Sequence, residues 1–223
     1  MFNWPKKKPS EPDLKLRDAL FGDMPWETLL ALDAGILALE PYPSFGRAKR
    51  FMDSGDAGSA IAEIQSVIEM PHLESRQYLQ AYHFLRALGV AVPPEEAKNV
   101  LGVVAEAGMP MGLDMIAAWA DHHARYWNFS GAGVVWERPD DRLDTLIDDL
   151  LRVGGTVLQV AGPWEGIRPA PPPKGHARIN VLAPSGLYLG HGPIEVLSKD
   201  RLGAPVLAAA FRLMQALMAL TRK

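Results

Sequence analysis

The sequence predicts an α+β protein: helical hairpins followed by a small sandwich of helices on an antiparallel sheet. Three observations predict it. Apolar residues recur at helical spacing through much of residues 14–108. From about residue 110 the texture shifts to β-formers punctuated by turn signals. Apolar-striped segments near residues 143–151 and 203–220 then bring helices back among the strands. The expected organisation is a basic tail over 1–13, a helical-hairpin domain over 14–108 and an α/β domain over 109–223.

The totals narrow the function classes. The chain has 223 residues, 48% hydrophobic and 22% charged, with a net charge of −3. That balance gives no basic face for nucleic acid. There are no cysteines, so disulfides, thiolate catalysis and cysteine-based zinc sites are excluded. A cytoplasmic location is the expectation that fits. The N-terminal run Met1-Phe-Asn-Trp-Pro-Lys-Lys-Lys carries charge with no apolar core behind it, so it reads as a solvated tail rather than a secretion signal. Three lysines, each contributing about 1 kcal/mol near an anionic surface, are too few to hold a membrane. Residues 28–39 are too short to span one, and residues 202–220 are interrupted by Arg212 and Gln215; both read as core helices.

Residues 14–39 read as a helical region divided at Gly22 and Pro25, with Asp23 as a cap and Pro41 and Pro43 as the stop. Ser44 opens the next helix and Gly55 ends it. In "SGDAGSAIAEIQSVIEMP", residues 54–71, Ala60, Ile61, Ile64, Val67 and Ile68 make one stripe. Residues 75–89 supply another helix, with Gly89 as its end. Pro93 and Pro94 then open an expected helix through "PPEEAKNVLGVVAEAG", with Glu95 and Glu96 in its first turn.

Gly55, Asp56, Ala60, Ile61 and Pro71 together resemble a tetratricopeptide-repeat helical hairpin. The resemblance covers about residues 45–71. The second helix is about one residue shorter than the family pattern, and no second copy follows at that family's period. It implies a helical scaffold that docks partners.

In the second half, "GLDMIAAWADHHARYWNFSGAGVVWE" reads as two antiparallel strands, about 113–120 and 124–136, joined at Asp121-His122-His123. Gly131 and Gly133 mark a bulge or bend in the second. A helix capped by Asp140 or Asp141 follows, with Leu143, Leu146, Ile147, Leu150 and Leu151 as its stripe. "TVLQVAG" reads as a short strand, residues 163–175 as an exposed Pro-rich loop, and residues 177–198 as a hairpin turning at Ser185-Gly186. The last helix spans 203–220. This β-β-α-β-β-β-α order resembles the roadblock and profilin-like class of α/β sandwiches, which implies dimerisation and scaffolding. It rests on element order alone.

The candidate chemistry is sparse. His122 and His123 are sequence neighbours that point apart on a strand, and they read as an exposed turn. Ser185 and His191 lack an orienting acid and a nucleophile elbow, and Ser-Gly is turn chemistry. "SGAG" at 130–133 precedes a strand, not a helix, so it is no phosphate cradle. The aspartates of residues 140–149 read as a solvated helix face. No catalytic residue, metal ligand or cofactor is assigned. Two residue sets remain. Arg125, Tyr126, Trp127, Asn128, Tyr188 and His191 could line a pocket between the two halves. Trp164, Arg168, Pro171, Pro172 and Lys174 form a stiff segment suited to partner recognition. The leading expectation is a non-enzymatic interaction or adaptor protein with a protein partner and a possible homodimer. The alternative is an enzyme or small-molecule binder.

Overall fold

A computed structural model describes residues 14–221; the basic tail expected over 1–13 lies outside them. The chain forms N-terminal helices and then a six-stranded antiparallel sheet with helices, the α+β class expected.

Three short helices come first: α1 (Leu14–Asp18), α2 (Trp26–Leu29) and α3 (Ala34–Leu37). Asp33 caps α3 by accepting from Gly35 N. Asp23 caps nothing; its carboxylate binds Arg168. Then α4 (Tyr42–Asp53), α5 (Ala57–Glu69) and α6 (Ser75–Ala87) pack as consecutive hairpins. Gly55, at φ 81°, makes the left-handed turn between α4 and α5, and Asp56 caps α5 through Ser59 N. Phe45, Ile64, Val67, Phe84 and Leu85 fill the core of this half, and Trp26 stacks on Phe84 at 3.5 Å.

The expected helix across residues 93–108 does not form. Residues 94–98 turn, and β1 (Gly102–Met109) runs up the middle of the sheet, so the sheet begins inside the stretch read as helical. The reason is burial on both faces. A central strand reads as a continuous apolar run, which periodicity alone does not separate from a buried helix. β1 pairs with β2 (Gly112–Trp119) on one side and β5 (His176–Ala183) on the other. The expected strand over 124–136 is two strands, β3 (Ala124–Trp127) and β4 (Gly133–Trp136). The Ser-Gly-Ala step between them is a tight turn: Asn128 N donates to Ala132 O and Gly131 N to Asn128 O. The helix expected from 140 starts later, as α7 (Asp144–Gly155), and the segment read as a strand after it is a 3₁₀ turn, Val157–Gln159. β6 (Gly186–Pro193) completes the hairpin with β5, followed by α8 (Ile194–Leu197) and α9 (Gly203–Leu220). The order is therefore four strands, a helix, two strands and two helices. The sheet order is β4-β3-β2-β1-β5-β6.

Strand alternation sends side chains to two different partners. One face, with Val103, Ile116, Ile179 and Val181, packs on α7 and α9 in the largest core cluster. The other, with Val104, Met115, Ala117, Trp119 and Leu182, packs on Leu20, Phe21 and Leu79 of the helical half. Among the described residues, α9 is the one helix long and apolar enough to cross a membrane. Here Val206, Ala209, Leu213 and Leu217 bury it against α7 and the sheet.

Candidate functional site

A groove of about 510 Å³ lies between α9 and the β1–β2–β5 part of the sheet. Its origin is side-chain size. Ala105, Ala107 and Ala177 contribute only methyls from the strands, and Ala204 and Ala208 only methyls from α9. Helix and sheet stay apart on the larger side chains beside them, so the methyl-lined stretch remains open. The mouth carries Met109 at 39% and Phe211 at 55% exposure. Met111 in the β1–β2 turn and Phe129 in the β3–β4 turn are exposed apolar residues at the same end of the sheet.

A carboxylate and a phenol supply the polarity of the floor. Asp114 on β2 accepts from Tyr126 OH at 3.2 Å and from Phe129 N at 3.0 Å. Burial, and then the negative charge of Asp114, push the Tyr126 phenol up to about 12. The phenol therefore stays protonated and donating. The arrangement binds apolar surface and offers an acceptor to one donor; it has no nucleophile paired with a base.

The residues expected to share a pocket do not converge. Arg125, Tyr126 and Trp127 are consecutive on β3 and alternate across the sheet. Tyr126 lines the groove. Arg125 turns to the helical half, where it pairs with Glu137 at 2.9 Å, and Trp127, opposite Met115, packs against the apolar cluster that joins that half to the sheet. Asn128 holds its own turn by accepting from Ser130 N and Oγ. Tyr188 is a core residue bonded to Ser185 Oγ, and His191 is exposed on edge strand β6. Ser185 Oγ also donates to Ala97 O, so Ser185 and His191 form no dyad.

The Pro-rich segment is a strap. It leaves the α7 face after Leu158, donates Trp164 N to Leu187 O on the β6 edge, and reaches the opposite face. There Arg17 and Arg178 donate to Pro169 O, and Arg178 also to Ala170 O. Arg168 is an anchor rather than a surface contact. Its guanidinium binds Asp18 and Asp23 at 2.8 Å and lies 4.0 Å from the Phe21 ring centre. Pro172 is buried and Pro171 half-buried; Lys174 is exposed and Trp164 nearly half exposed.

Sequence reasoning missed Asp114 and the alanines of the groove. Their signal is the alternation of Ala105 and Ala107, legible only once β1 is read as a strand. Comparison with protein-family models, curated proteins and solved structures found no match.

Proposed function

We propose that this protein is a non-enzymatic interaction protein whose groove receives the apolar face of an amphipathic helix from a protein partner. The observation that carries the reading is the methyl-lined groove with exposed Met109 and Phe211 at its mouth. Exposed apolar clusters of this kind mark docking surfaces. Methionine adapts to side chains of different shape, and Met109 and Met214 both line the groove. A helix presents apolar side chains at i, i+3/i+4 and i+7 to such a groove. Asp114 offers an acceptor to a donor on that helix.

The experiment is selection of displayed helical peptides against the full chain, with affinities of the selected peptides measured calorimetrically. The expected result is enrichment of that apolar spacing, with binding weakened at least about tenfold by Ala208→Trp, which fills the groove. The volume favours a second reading, because 510 Å³ falls in the range of small-molecule pockets, about 300–1,000 Å³. No enriched peptide, together with Ala208-dependent binding of a fluorescent apolar dye, would replace the helix with a small apolar ligand.

A further inference from the structure

Where the helical half meets the sheet, away from the groove, three distant segments bring ligand-type side chains together. Glu74 immediately precedes α6, His123 lies in the β2–β3 turn, and Glu137 follows β4. One ligand atom from each lies within 4.8 Å of the other two. Backbone contacts hold the seam in place. Ser75 N donates to Asp121 Oδ2 at 2.7 Å, Asp121 N to Ser75 Oγ at 3.1 Å, and His123 N to Asp121 Oδ1 at 3.0 Å. The turn that carries the histidine is thus fixed to the first residue of α6.

The imidazole is poised rather than satisfied. His123 has a side-chain exposure of 19%, and its Nδ1 is a buried nitrogen with no hydrogen-bond partner. Asp121 Oδ2 is 3.8 Å from it, beyond hydrogen-bond reach. Two guanidiniums border the cluster: Arg76 pairs with Glu74 Oε2, and Arg125 Nη2 binds Glu137 Oε1 at 2.9 Å. Both sit against the Trp119 ring, at 5.0 and 5.8 Å from its centre. A carboxylate has two oxygens and about four lone-pair sites, so one oxygen can hold an arginine while the other ligates. Such outer contacts orient metal ligands.

We infer that Glu74, His123 and Glu137 form a binding site for a divalent transition-metal ion of the zinc class. An imidazole nitrogen with two carboxylates suits that class, whereas calcium and magnesium take all-oxygen shells. Three protein ligands leave a coordination position for water. The neighbouring guanidiniums oppose added positive charge, which places the affinity below that of a closed cysteine–histidine zinc site. Because the ligands come from both halves, the ion ties the start of α6 to the sheet.

The test is zinc titration of the chelator-treated full chain by calorimetry, with hydrogen exchange as a second readout. The expected result is one saturable site and slower exchange in the first turn of α6 and the β2–β3 turn. His123→Ala and Glu137→Gln should each weaken binding at least about tenfold. Glu137 is 55% exposed, so its variant keeps the test valid if the histidine variant unfolds. His122 is the control, since it lies with Asp144 and Asp148 in a separate surface cluster; His122→Ala should bind zinc unchanged. No saturable binding at micromolar zinc, unchanged affinity in Glu137→Gln, or loss confined to His122→Ala would overturn the assignment.

Discussion

Arg17 Nε lies 2.5 Å from Glu106 Oε1, and this contact joins the first helix to the middle of the central strand. Neither side chain has appreciable solvent exposure. Asn180 Nδ2 donates to the other carboxylate oxygen at 3.1 Å, and Arg178 Nη1 stands 3.7 Å from it. Both arginines also hold the strap by its carbonyls. One buried carboxylate thus organises the helical half, the sheet and the Pro-rich segment.

Removing that carboxylate leaves two buried guanidiniums with no anionic partner among these groups. Breaking a buried pair at one end costs about 3–5 kcal/mol. Glu106→Ala should lose stability in that range, measured by denaturant unfolding. Glu106→Gln keeps the shape and an acceptor and should lose less. A loss below about 1 kcal/mol in both variants would show that water reaches the site and screens the charges.

Gly108 is where the strap touches the sheet. A Cβ there would lie 2.2 Å from Pro173 O and 2.7 Å from Pro172 O, both backbone atoms that cannot rotate away. Gly108 O also accepts from Gly175 N at 2.7 Å. Gly108→Ala must therefore lift the strap. The expected loss is about 1–3 kcal/mol, typical of overpacking, with faster tryptic cleavage at exposed Lys174. Gly162→Ala is the control, because a Cβ at that position meets open space. Equal cleavage rates in the two variants would show that the strap does not rest on Gly108.

The balance between legible and hidden features follows from what periodicity encodes. Helices α5, α6 and α9 each bury one face, so spacing in the sequence exposes them. Val103 and Val104 are both fully buried, on opposite faces of β1, and a run buried on both sides carries no period. The candidate site was hidden for a related reason. Arg125, Tyr126 and Trp127 look like one cluster in the sequence, yet alternation sends Tyr126 to the groove and its neighbours to the other side. Arg168 reads as a surface cation until Asp18 and Asp23, about 150 residues earlier, are brought to it by the strap. Partners at such separations leave no local signal.

The floor of the groove has a pH signature. A tyrosine in an unfolded chain ionises near pH 10, whereas Tyr126 holds its proton to about 12 because it is buried and faces Asp114. The native state favours the protonated phenol, so this contribution is complete below pH 10. It is lost progressively between pH 10 and 12, as the unfolded chain releases a proton that the folded chain retains. Tyr82 is shifted in the same direction by burial and by Glu96, so part of the alkaline loss belongs to it. Tyr126→Phe separates the two. Its unfolding free energy should fall less steeply than the parent's between pH 10 and 12, and absorbance titration at about 295 nm should lose one late-ionising phenol. Parallel slopes in the two proteins would mean that Tyr126 ionises near its ordinary value and that water reaches the floor. Asp114 would then already be solvated, and a partner's donor would have to displace that water to bind it.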